Sequence, residues 1–213
     1  MKYRICYEKT GRLIYVSHLD MQRLFQRLFR RAGVTMLFSQ GFNPHALISY
    51  APPLPLFAAS QAEYLDIELS GDESPASVSE KLSSACPDGL VIREVRCPEE
   101  GEKPLSKLFS KAVYEIVLST AAGAENVEEW FRNTDEIINE KMTKKKVLKK
   151  ENIKEKIYSF RAEDVPGGIK LTAELCYLNE GLLNPFTLIN SLKAVPGLME
   201  DAKTVSVTKI KVE

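Results

Sequence analysis

The segment that most constrains the fold of this chain is residues 17–33. Met21, Leu24, Phe25, Leu28, Phe29 and Ala32 recur at steps of three and four residues, which places them on one face of a helix over residues 18–32. Ser17 stands where a side-chain N-cap belongs, and Asp20, three residues on, can reach back to it as in a capping box. Gly33 then supplies a helix stop. Ahead of this helix, residues 3–7 alternate aromatic or apolar with polar side chains, the period of a half-buried strand. Residues 35–38 read as a second strand. Residues 64–69 read as a third, with Leu65, Ile67 and Leu69 inward and Asp66 and Glu68 outward. A helix from Pro75 to Ala85 and a strand over residues 90–95 complete the order βαββαβ, the split-βαβ or ferredoxin-like unit.

Residues 98–111, rich in charge and containing Gly101 and Pro104, read as a linker or a long exposed connection. The pattern then begins again. Residues 113–118 form a strand, and a helix follows around Val127, Trp130, Phe131, Ile137 and Ile138. A lysine-rich strand or hairpin lies near residues 144–148, and strands at 157–161 and 169–176 flank a turn at Pro166, Gly167 and Gly168. Asn184 and Pro185 open a helix as N-cap and first helical residue, and residues 205–212 close the chain as a strand. The expected architecture is therefore α+β: two tandem ferredoxin-like (βαββαβ) halves with antiparallel sheets. The halves are expected at residues 1–97 and 112–213.

Composition narrows the function. Of 213 residues, 29 are basic and 29 acidic, so no global field draws the protein to nucleic acid or to an acidic membrane, and any attraction is local. Cys6, Cys86, Cys97 and Cys176 lie far apart in sequence and read as small buried residues in a reducing compartment. The start carries no apolar signal core and no run reaches membrane-spanning length, which predicts a cytoplasmic protein with no membrane partner. No phosphate-binding glycine loop, dinucleotide fingerprint, zinc spacing or iron–sulfur cysteine triplet occurs. Neither cofactor nor metal is expected, and the reading leans away from an enzyme.

Candidate chemistry concentrates in the first quarter. Arg23, Arg27, Arg30 and Arg31 recur at i, i+4, i+7 and i+8, nearly opposite the apolar stripe, where forked guanidinium donors could track successive phosphates. The competing reading is a solvated helix face paired with nearby acids. His18 falls in the first helical turn, where the dipole disfavours an imidazolium. The second histidine, His45, belongs to an irregular loop of Gln40, Gly41, Phe42, Asn43 and Pro44, followed by Pro52, Pro53, Leu54 and Pro55. Two histidines around an anion site would suit acid–base cleavage of RNA. Binding roles for Ser17, His18, Asp20, Arg23, Arg27, Arg30, Gln40, Gly41, Phe42, Asn43 and His45, or structural roles, are the alternatives. Phe42 and Tyr50 could stack on bases or anchor the loop in the core. The lysines from Lys141 to Lys156 are interrupted by Glu151 and Glu155 and read as a solvated hairpin more than a backbone grip.

Together, Val16-Ser17-His18-Leu19-Asp20, the arginine helix ending in Ala32 and Gly33, the Ser39-Gln40-Gly41-Phe42-Asn43-Pro44-His45 loop, Ala51-Pro52-Pro53-Leu54-Pro55 and Ala62-Glu63-Tyr64-Leu65-Asp66 resemble the uncharacterised bacterial radical-SAM-linked protein family. The family often has proline and a basic residue after Asn-Pro-His, where this chain has Ala46 and Leu47. The resemblance implies a partner, a radical SAM protein with a cobalamin-binding-type domain, and it implies RNA metabolism through an RNase G-type neighbour. A looser similarity in element order links the chain to CRISPR RNA-processing endonucleases. The expectation is an accessory RNA-binding protein acting with a radical SAM enzyme. A metal-independent endonuclease using His18 and His45, and a protein adaptor docking through the loop from Phe42 to Leu56, are the other two classes.

Overall fold

In a computed structural model, the structure describes residues 1–142, 148–178 and 181–213. The chain divides into two compact units, Met1–Leu108 and Phe109–Glu213. Both are mixed α and β, and their strands pair antiparallel.

The first unit runs β1 (Lys2–Lys9), α1 (His18–Arg31), β2 (Ile48–Tyr50), β3 (Ala59–Glu68), α2 (Pro75–Ala85), β4 (Leu90–Arg96) and α3 (Leu105–Leu108). Its sheet has the order β4-β1-β3-β2. The alternation in β1 turns Tyr3, Ile5 and Tyr7 to one face, where they meet Leu65 and Ile67 of β3 and the stripe of α1. Phe25 and Phe29 of that stripe are wholly buried, and each contributes about 1.5–3 kcal/mol by leaving water. Val78 and Leu82 of α2 complete this core.

The opposite face of the same sheet carries charge. Arg4 and Asp66, each 2% exposed, face each other across β1 and β3 and form a forked pair, Nε to Oδ1 at 2.7 Å and one terminal nitrogen to Oδ2 at 2.9 Å. The remaining guanidinium nitrogen donates to Glu102, which also takes two bonds from Arg96 at 2.8 and 2.6 Å. These bonds, with Arg96 foremost, hold the Glu102 carboxyl down at about 2. The stretch expected as a linker is thus tied down through Leu108: Glu102 bonds the sheet and Leu105 is buried as α3 packs against β2 and β3.

Other expectations need correction. Residues 35–38 make no strand; Met36 and Phe38 form single bridges to Leu69 and Ala46, and the edge strand is β2, inside the stretch read as loop. Among the cysteines, Cys97 is exposed where burial was expected.

The second unit runs β5 (Lys111–Ser119), α4 (Ala124–Asn133), β6 (Ile138–Met142), β7 (Leu148–Asn152), β8 (Ile157–Val165), β9 (Gly168–Cys176), α5 (Pro185–Lys193) and β10 (Lys203–Val212). One sheet has the order β10-β5-β9-β8, and β6 and β7 pair separately. Ile169, Leu171, Ala173 and Leu175 alternate inward along β9. Gly168 is forced by space: a Cβ there would stand 1.9 Å from the Leu118 carbonyl oxygen. Gly123 offers α4 no side-chain cap, and Asp164 of β8 supplies one by accepting the Ala124 N–H at 2.8 Å. The helix expected to include Ile137 and Ile138 ends at Asn133, because Ile138 opens β6. Of the lysine-rich hairpin, residues 144–147 lie outside the described residues; its flanks pair from Ile138 opposite Asn152 to Met142 opposite Leu148.

Replacing Asp66 with Ala removes the forked carboxylate from the buried Arg4 guanidinium, which keeps Glu102 and the Lys103 carbonyl, and is expected to destabilise the fold by about 3 kcal/mol, read from urea denaturation. Glu102 makes its contribution as an anion, so it is complete above an unfolded value of about 4.3 and is lost as pH falls through the folded value of about 2. The stability gap between wild type and Glu102→Gln should be constant above that range and shrink as pH is lowered through it.

Candidate nucleic-acid interface at the start of the first helix

Ser17 accepts the Asp20 N–H at 3.2 Å and donates its hydroxyl to the Asp20 carboxylate at 2.7 Å. The first bond satisfies one of the free amides at the helix start, and the second fixes the carboxylate. Arg23 then donates to the other Asp20 oxygen at 2.9 Å. Ser17 first and Arg23 next hold the Asp20 carboxyl below the ordinary range.

Arg23, Arg27 and Arg30 follow on the exposed face, opposite the buried Met21, Phe25, Leu28 and Phe29. Among the described residues, the Arg23–Asp20 contact is the one carboxylate pair this face makes. Being exposed, it is worth little and competes weakly with a phosphate. Arg27 rests its Nε on the Arg23 carbonyl at 3.3 Å, while Arg31 turns to the carbonyl of Ala85. Leu19, one turn ahead of Arg23 on the same stripe, is also exposed.

His18 turns the other way. Its ring stands edge-on to Tyr50, centroids 5.5 Å apart at 81°, and its Nε2 lies 3.0 Å from the side-chain nitrogen of Gln22. An amide nitrogen donates, so with the amide assigned this way Nε2 accepts and the imidazole is neutral. Burial lowers the His18 pKa; Glu63 opposes that shift and Lys9 adds to it. Lys9 is 3% exposed and donates Nζ to the Val16 carbonyl at 2.9 Å, tying the approach to α1 onto the end of β1. Burial lowers its pKa against the pull of Glu63. Tyr50 packs on Phe25, so it anchors its strand in the core; its hydroxyl is buried, lacks a hydrogen-bond partner among the described residues, and has its pKa raised by burial.

The loop of residues 39–45 is closed by its two ends. Ser39 N–H donates to the His45 carbonyl at 2.9 Å, His45 N–H donates to Ser39 Oγ at 3.1 Å, and Oγ lies 2.8 Å from Nδ1 of the ring. Gly41 has φ of 126°, and Gln40, Gly41, Phe42 and Asn43 are exposed, Phe42 completely. His45 lines a cavity of about 220 Å³ with Lys2, Ser49, Asp66 and Glu68. Asp66 alternates away from the helix-covered Leu65 and Ile67, so the two histidines have separate surroundings, with no hydrogen-bond or ring partner in common. Among the described residues, no hydrogen bond or ion pair joins this loop to α1.

Sequence reading missed Lys9 and Glu63, although the signal was there: a charged residue continues the inward period of Tyr3, Ile5 and Tyr7, and another precedes Leu65 by two. It also missed Tyr15 and Phe57, which meet edge to face at 6.0 Å and are largely exposed. Phe57 has φ of 70° and donates its N–H to the Ile14 carbonyl at 2.9 Å. A left-handed aromatic residue costs about 1–3 kcal/mol, held here by tertiary contact and invisible to local propensity.

Residues 2–185 match the family model described as an uncharacterized protein conserved in bacteria (DUF2344). The chain belongs to this family. The matched span of this DUF2344 member takes in the capped start of α1, its arginine face and the loop around His45. No curated protein matches it. Among its described residues no helix is long and apolar enough to cross a membrane.

Because folding resists protonation of His18, the unfolded chain binds more protons between the folded value and about 6.5, and stability rises with pH across that window. An NMR titration of the His18 ring should give a midpoint below 6.5. Lys9→Met, which removes a nearby cation, should raise that midpoint. Tyr50→Phe deletes a hydroxyl without a hydrogen-bond partner among the described residues and should leave the unfolding free energy from urea denaturation unchanged or higher, by up to about 1 kcal/mol.

Proposed function

We propose that this chain is an accessory RNA-binding protein that acts with a radical SAM enzyme in RNA modification or processing. The observation that carries the RNA reading is the exposed Arg23, Arg27 and Arg30 stripe on a helix whose opposite face is fully committed to the core. Three guanidiniums spaced along one rigid element suit successive phosphates of a single strand, and the zero net charge leaves attraction to such a local feature. The neutral His18 adds no repulsion or attraction of its own, so the arginines set the salt dependence. The radical SAM partner rests on the motif resemblance, and the cytoplasmic setting on the start without an apolar signal core, the lack of a membrane-length apolar run and the scattered cysteines. Each unit is a ferredoxin-like fold in this reading, supported by the strand orders β4-β1-β3-β2 and β10-β5-β9-β8, with β6 and β7 as an insertion in the second.

A second reading, an adaptor for that partner, is favoured by one specific feature. Phe42, Leu56 and Phe57 expose large apolar surface, and Phe57 does so from a strained backbone.

A gel shift with labelled total cellular RNA at low and near-physiological salt tests the first reading, and a discrete complex surviving the higher salt is expected. In the Arg23→Ala/Arg27→Ala variant, the slope of log affinity against log salt should flatten by about 1.4, the loss of two single-strand phosphate contacts. An unchanged slope moves the interface off α1. Partner capture that survives ribonuclease treatment, with no RNA shift at any salt, establishes the adaptor reading instead.

A further inference from the structure

We propose that the cleft between α5 and β6 in the second unit binds a planar heterocycle carrying adjacent N–H donors, of which a guanine base is the simplest form. The cleft encloses about 540 Å³, ample for a nucleoside, and its lining includes Trp130, Glu136, Asn139, Glu140, Asn190 and Ser191.

Three features select this chemistry. Trp130, the one tryptophan of the chain, is half-buried at the wall and offers an indole face for stacking. Ser191 is 6% exposed, and its Oγ has no hydrogen-bond partner among the described residues. The Oγ is itself sealed from solvent and carries the desolvation penalty of a buried hydroxyl without a partner, which a ligand relieves only by drawing the side chain into the cleft through a change of rotamer. The third feature is charge. Glu140 is paired with Lys150, whereas Glu136 is exposed and has no ion-pair partner among the described residues.

A carboxylate accepts two parallel bonds, the pattern presented by the N1–H and 2-amino groups of guanine. The Asn139 and Asn190 amides offer both donors and acceptors for the remaining edge. No lysine or arginine is among the described lining residues, so a phosphate gains nothing there and the carboxylates oppose it. The occupant is therefore a base or nucleoside recognised by its edge. This site is independent of the arginine face on α1, and either can fail without the other.

The single tryptophan makes the test direct. Intrinsic fluorescence of the full chain is titrated with guanosine, adenosine and guanosine 5′-monophosphate, and guanosine binding to each variant is measured by calorimetry. Guanosine should quench saturably and adenosine at least roughly tenfold more weakly, as expected when one charge-assisted edge contact is absent. The monophosphate should bind no more tightly than guanosine. Glu136→Gln, a surface change, should lower guanosine affinity roughly tenfold, and Ser191→Ala should lower it less. Arg23→Ala/Arg27→Ala should leave guanosine binding intact, which separates this site from the RNA reading. Non-saturating quenching that is equal for guanosine and adenosine, or guanosine affinity unchanged in Glu136→Gln, overturns the proposal.

Discussion

The buried Arg4–Asp66 pair is the constraint on which the first unit depends. Two charged groups, each 2% exposed, have left water between adjacent strands, and their desolvation is offset by the forked geometry and by the further acceptors on Arg4. Glu102 completes the set, and Lys2 adds a partly exposed cation 3.1 Å from Asp66. A one-residue slip of β1 against β3 would carry Arg4 into the aromatic core and Ile5 into the charge network. The pair thus penalises the wrong register more heavily than apolar packing alone would.

That register sets what each face of the sheet can present. With Arg4 and Asp66 on one side, Tyr3, Ile5, Tyr7 and Lys9 fall on the other, under α1. Lys9 reaches the Val16 carbonyl, so the polypeptide entering α1 is held by the end of β1. Ser17 follows directly as the cap, and His18 is directed inward onto Tyr50. Placement of the helix start, and hence of the arginine stripe, follows from strand pairing a few residues upstream.

Legibility in the sequence tracked how local each cause is. The span of α1, its cap and its stop were readable because a 3.6-residue period, an N-cap hydroxyl and Gly33 are properties of neighbouring residues. The end of β9 and the Asn184 cap of α5 were readable for the same reason. The second strand was misplaced because residues 35–38 have good strand composition but bridge at only two points, while Ile48, Ser49 and Tyr50 gain their ladder from β3. The role of Glu102 depends on a strand about a hundred residues earlier, which no local pattern encodes. In the site, the exposed arginines were legible from spacing. The separation of His18 from His45 was not, because it depends on contacts that the fold makes, His18 against Tyr50 and His45 beside Lys2 and Asp66.

The start of α1 also shows why its arginine face can be spent on a ligand. The helix derives its place from Phe25, Phe29 and the Lys9 tether, none of which involves Arg23, Arg27 or Arg30. Its single carboxylate contact on that face, Asp20 to Arg23, is exposed and screened by salt. Asp20 is itself held as an anion by Ser17, so it balances the helix dipole and its contact with Arg23, feels Arg27 at longer range, and leaves Arg27 and Arg30 with no carboxylate contact among the described residues. In a protein of zero net charge, guanidiniums without a carboxylate contact on a rigid helix make a local positive patch. In the RNA-binding reading proposed above, those few side chains and the salt concentration would set the affinity, with no contribution from net charge.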